Sequence, residues 1–193
     1  LGQSIIAAIP RATAVLLTGD LEAADYLIQA DDEIDARSIQ VEEKCFQELA
    51  LQSPVAGDLR ELVSMIKIAG ELERSADLAV NICKAARRIY GHKIDPELSD
   101  LIAKMSEQAQ QLFISTMEAF NDNDAAKAAA DRPKPQYFKK SRRLLDKSFL
   151  PENTSSSGSS WANSLELSWT KASVFLSSSR LLQYFFSTIG EFR

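Results

Sequence analysis

Glu73-Arg74-Ser75-Ala76-Asp77 sits inside the run from Met65 to Arg88, where apolar residues recur at helical spacing. At about 100° per residue, Leu59, Leu62, Ile66, Ala69, Ala76, Val80 and Cys83 form one stripe, with Glu73 near its centre and Asp77 about 40° away. The pattern predicts a long helix that turns two carboxylates toward its own core. Burying a charge without a partner is costly, so such a pair must be protonated, salt-bridged or bound to a cation.

One helix earlier the arrangement recurs. Between Asp20 and Gln52 the residues Ala24, Leu27, Ile28, Ile34, Val41, Cys45 and Leu49 mark an apolar stripe, and Asp31 and Asp35 lie along or beside it, again at i, i+4. Glu42 shares that side, whereas Asp32 and Glu33 point away. Two readings follow. The acids are either salt-bridged within a bundle, to Arg37, Arg60 or Arg74, or they converge on a metal. Carboxylates are hard oxygen ligands, so the set Asp31, Asp35, Glu73 and Asp77 suits Mg²⁺, Mn²⁺ or iron better than a thiolate metal site. Arg74, about 100° off the stripe, is placed to brace a carboxylate or face a partner, and Asn81 to hydrogen-bond behind the ligands.

Asp31-Asp32-Glu33-Ile34-Asp35, then Leu49-Ala50-Leu51-Gln52-Ser53-Pro54-Val55-Ala56-Gly57-Asp58-Leu59-Arg60, then Lys67-Ile68 and Glu71 through Ile82 resemble the PhoU family of phosphate-uptake regulators in wording, order and spacing. The resemblance covers Leu1 to about Ala130. It implies a cytoplasmic, all-α protein built of antiparallel three-helix repeats that tends to form homodimers. It further implies iron or zinc clusters at the acid-x-x-x-acid motifs. The partners it implies are the Pst phosphate transporter, through its ATPase, and the sensor histidine kinase of the PhoR-PhoB pathway, both restrained when phosphate is plentiful.

Caps and breakers divide the chain into helices near 4–18, 20–52, 55–90 and 96–121. Gly19-Asp20 ends one helix and caps the next, Pro54 suits a first turn, and Asp95-Pro96-Glu97 opens the fourth. Pro10 either kinks the first helix or marks a late start. Long helices with short connections imply antiparallel neighbours in a bundle. Residues 1–92 then form a first three-helix repeat, and 95–130 begin a second.

Beyond Ala130 the composition changes. Residues 131–193 hold 14 serines, both tryptophans and 10 Lys/Arg against 5 Asp/Glu; of the chain's 22 and 27, that leaves 12 and 22 for residues 1–130. An acidic body thus carries a basic tail. An offset of 104 residues sets Phe113 on Ile9 and Phe120 on Leu16, but the positions that should repeat the acids hold Pro135, Lys139, Ser177 and Leu181. A frameshift near Ala130 would produce such a tail, which is expected to pack poorly. Leu1, in place of Met, reads as a truncation point. The basic cluster Lys139, Lys140, Arg142, Arg143 and Lys147 lacks interleaved aromatics, so no specific nucleic-acid binding is expected.

The remaining chemistry is sparse. No stretch approaches the ~18 to 20 apolar residues of a membrane span. Cys45 and Cys83 lie on inward stripes and read as reduced core thiols, and His92, the single histidine, as an exposed loop residue. A di-iron enzyme needs Glu-x-x-His pairs, and neither motif contains a histidine. No nucleophilic triad, Gly-rich phosphate loop or Cys-x-x-Cys is present. A non-enzymatic regulator is expected, with a metal-free helical adaptor as the alternative and a carboxylate-bridged di-metal protein behind it.

Overall fold

The structure, a computed structural model, describes residues 1–122 together with 124, 126 and 127. Four helices follow one another: α1 (Gly2–Thr18), α2 (Leu21–Gln52), α3 (Ala56–Arg88) and α4 (Pro96–Asn121). No strand occurs among the described residues. The expected all-α class and helix limits hold to within a few residues. The expectations for residues 131–193 lie outside the described residues.

The caps act as their chemistry requires. Gly19 takes φ +72° and its N–H donates to Val15 O, closing α1. The Asp20 carboxylate accepts from the Ala23 N–H at 2.9 Å, and Asp95 accepts from Glu97 and Leu98 N–H ahead of Pro96. Pro54, expected in a first turn, instead lies in the connection, because α3 starts at Ala56 with Val55 as its N-cap.

Pro10 neither breaks nor delays α1, which runs through it. A proline lacks the N–H that would bond the carbonyl four residues back, here that of Ile6. Gln110 Nε2 of α4 donates to Ile6 O at 3.1 Å and supplies the missing bond.

Packing is layered on α3. α2 pairs with α3 along most of its length, α1 packs against that pair, and α4 packs on α1. One core cluster joins Ala12, Val15 and Leu16 of α1 to Ala24, to Ile82, Cys83 and Ala86 of α3, and to Leu98, Ile102 and Met105 of α4. A second joins Ile5 and Ile9 to Leu72, Ala76 and Phe113, with Leu1, Ile34, Ile68 and Met117 beside it. Thr13 Oγ1 and Ser106 Oγ hydrogen-bond at 2.9 Å between α1 and α4, satisfying both buried hydroxyls. Leu1 shares a cluster with Ile34 and Ile68, which sets the start of the described α1 beside the middle of α2 and α3.

Candidate functional site

The α2–α3 pairing brings the two acid pairs into one electrostatic field. Asp31, Asp35 and Glu73 are half-buried, whereas Asp77, placed inward by the pattern, is exposed. The Asp31 carboxyl is raised from its ordinary 3.8 to about 6, first by burial, then by the negative charges of Asp35, Asp77 and Glu73, with Lys84 opposing. Burial likewise raises Glu73, reinforced by Asp77 and Asp35 and opposed by Arg74. Each helix therefore feels the acids of the other.

Of the three arginines named for the salt-bridged reading, Arg37 and Arg74 pair with acids outside the set. Arg37 Nη2 bonds Glu33 Oε1 at 2.6 Å, and Arg74 Nε lies 3.8 Å from Glu71 Oε2, too far for a hydrogen bond. Asp31 Oδ1 and Asp35 Oδ1 are buried with no hydrogen-bond partner, as is Glu71 Oε2. Buried polar atoms are ordinarily paired, so two orphaned oxygens on successive turns of α2 mark a place that lacks a donor or a cation. The donors are hard oxygens, which suit Mg²⁺, Mn²⁺ or iron better than a metal that seeks thiolates. Among the described residues no three His, Cys, Asp or Glu side chains are gathered to hold a metal ion as they stand. Ligation by all four would require the side chains to turn toward one another.

The surrounding residues divide. Glu42 is half-buried and, after burial itself, raises the buried Cys45 thiol, while Asn81 and Arg74 are exposed. Cys45 and Cys83 are free, and burial pushes Cys83 up to about 11, which makes it a core residue and not a nucleophile. His92 is exposed, as expected. Sequence reasoning missed a cleft of about 220 Å³ between α1, α2 and α3, which Ala8, Arg11, Tyr26, Asp31, Arg37 and Cys83 help to line. The single signal for it was Arg11, a charge in the middle of the apolar α1.

The acid pairs lie within residues 1–86, the span matched by the PhoU domain family. Through that span the chain belongs to the PhoU family. It is 39% identical over 126 residues to phosphate-specific transport system accessory protein PhoU homolog 2 of Mycobacterium tuberculosis, covering 65% of this chain and 59% of that protein. It is 37% identical over 139 residues to PhoU homolog 1 of Mycobacterium leprae, covering 72% and 63%. The chain thus spans about three-fifths of the length of the curated relatives it matches. A crystal structure of the phosphate transport system regulatory protein PhoU from Streptococcus pneumoniae aligns with TM-score 0.82 at 20% identity, covering 98% of this chain and 90% of that one. PhoU from Pseudomonas aeruginosa aligns with TM-score 0.77 at 20% identity, covering 98% and 92%. At that identity the two structures speak for the fold alone. No helix among the described residues is long and apolar enough to cross a membrane.

Proposed function

We propose that this chain is a cytoplasmic accessory protein of phosphate transport that restrains phosphate uptake and phosphate-starvation signalling, acting on the Pst transporter's ATPase and on the PhoR sensor kinase. The observation that carries this reading is the 39% identity over 126 residues to proteins named phosphate-specific transport system accessory proteins, together with a PhoU domain match whose span, residues 1–86, includes both acid pairs. The chain works by contact and as a homodimer, not by turnover.

Asp31, Asp35, Glu73 and Asp77 would hold a divalent or trivalent cation, with Mg²⁺ or Mn²⁺ favoured by ligand chemistry and iron or zinc by family resemblance. Such a cation supplies charge neutralisation and cross-links α2 to α3. In this reading Arg74 and Asn81 remain available to orient carboxylates, and Glu42 extends the negative face along α2. A metal-free adaptor is the second reading, favoured by the ungathered side chains.

The test is complementation. Expressed in a bacterium whose own gene of this family is deleted, the chain is expected to lower a phosphate-starvation reporter in phosphate-rich medium. Reporter activity that stays at the deletion level while the protein accumulates in folded form contradicts the regulatory reading.

A further inference from the structure

One flank of α2 presents apolar side chains between acids. Ile39 and Phe46 are each 56% exposed and stand seven residues apart, about 20° from one another around the helix axis. Asp32 and Glu43 fall on one side of that pair, Asp35 and Glu42 on the other, all within about 60° of Ile39. Among the described residues no ion pair holds any of the four. This flank is not the one that meets α1. Ile34 packs with Ile5 and Ile9 of α1, and Ile39 and Phe46 lie about 120–140° around α2 from it. A continuation of the α1 axis before Leu1 would follow the Ile34 side and leave the Ile39 side as it is.

What covers an acidic, apolar stripe must be basic and apolar in the same rhythm, and this chain holds such a segment. Phe138, Leu145 and Phe149 fall within about 20° of one line at helical spacing. Among and around them stand Lys139, Lys140, Arg142, Arg143 and Lys147 against the single acid Asp146. Phe138 and Leu145 share the seven-residue step of Ile39 and Phe46, about 10.5 Å along a helix. The whole chain is divided in the same sense, with 22 acids to 12 bases in residues 1–130 and 10 bases to 5 acids in residues 131–193.

The chain also leaves the described helices at the right level. Phe113 and Met117, toward the end of α4, share a cluster with Ile34, which sets that end of α4 beside the middle of α2. Lys127 Nζ still bonds Glu118 Oε2 at 2.8 Å. From there the ten residues 128–137 span up to about 35 Å, ample for crossing α1 and α2 at about 10 Å each.

We infer that residues 138–149, which lie outside the described residues, dock within the same chain on the flank of α2 that carries Ile39 and Phe46. Phe138 and Leu145 meet the apolar pair, and the bases meet Asp32, Asp35, Glu42 and Glu43. The poor packing expected of residues 131–193 as a whole does not conflict with this, because one docked segment needs no second core. Docked there, the segment lies beside Asp35 and adds positive charge to the rim of the acidic seam.

Trypsin cuts after lysine and arginine, so the five bases of the segment report their own docking. The experiment follows tryptic cleavage within residues 139–147 of the full chain by mass spectrometry, at low and high salt and at several protein concentrations. The variants are Ile39→Asp, Phe46→Asp, Glu42→Gln/Glu43→Gln, and Tyr26→Ser as a control on the α1 side of α2, with helical circular dichroism to confirm that each folds. In the parent, cleavage is expected to be slow at low salt and to quicken as salt screens the ion pairs. Because cleavage follows the population of the open form, Ile39→Asp and Phe46→Asp are each expected to speed it by about 10-fold or more. Glu42→Gln/Glu43→Gln is expected to speed it by a few-fold at low salt alone, and Tyr26→Ser to leave it as in the parent. Three results would overturn the inference. The parent segment could be cut as fast as a synthetic peptide of residues 136–150. It could be protected equally in the parent and in both apolar-face variants, which places its docking elsewhere. Or its protection could grow with protein concentration, which assigns the contact to a second copy of this chain.

Discussion

Asp31 shows how a single residue carries both the cost and the purpose of the site. Its folded carboxyl holds a proton up to about pH 6, whereas the ordinary value is 3.8, so the folded state binds more protons than the unfolded state between those values. The contribution to stability is full below 3.8 and is lost as pH rises through about 6. Glu73 is raised as well and adds in the same direction. The melting temperature of metal-free protein is therefore expected to fall between pH 5 and pH 7.5, and Asp31→Asn to remove much of that fall. A parallel decline in the variant would show that Asp31 is not its source. Gln110 makes a second residue-scale case, since its bond to Ile6 O replaces one that Pro10 cannot make. Gln110→Ala is expected to cost about 1–2 kcal/mol in urea denaturation, the range for orphaning a part-buried acceptor. Neither case was fully legible in the sequence. The phase of the acids along α2 and α3 was visible, but which oxygens lose their partners depends on the neighbouring helix. The Gln110 contact joins residues 104 apart.

At the scale of the element, the helices were the most legible part, because each end carries its own local chemistry. Gly19, Asp20 and Asp95-Pro96 made their stops and caps evident without any tertiary information. Asp77 was misplaced for a related reason. A periodic pattern assigns an angle about the helix axis, while exposure depends on how far the adjoining helix reaches around that angle. At about 40° from Glu73, Asp77 passes the edge of the α2 contact. The turn before α3 was misjudged too, because a proline there fits a first turn equally well as a connection. Its strained backbone gives an element-scale prediction. Relief of the left-handed φ at Ala56 is worth about 1–2 kcal/mol, and glycine's extra chain entropy costs about 0.5–1 kcal/mol. Ala56→Gly is therefore expected to stabilise the chain by roughly 0.5–1 kcal/mol, read as a higher denaturant midpoint. A lower midpoint would show that Ala56 is not strained.

At the scale of the whole molecule, the four helices of the described residues place an acidic seam between α2 and α3, a cleft beside it, and an apolar turn at the end of the α2–α3 hairpin. Stiff helices connect the seam to the turn, so tightening α2 against α3 would be felt along the hairpin. The family was legible because its wording is concentrated in that hairpin. The cation stands as the central claim about chemistry, and thermal melting of purified, metal-stripped protein with and without Mn²⁺ tests it most directly. A ligand that binds only the folded state at 100 times its Kd adds about 2.7 kcal/mol, or roughly 5–10 °C for a chain of this size. The account predicts a rise of that order in the parent chain, absent from Asp35→Asn/Glu73→Gln. An equal rise in both, or none in the parent, would contradict it.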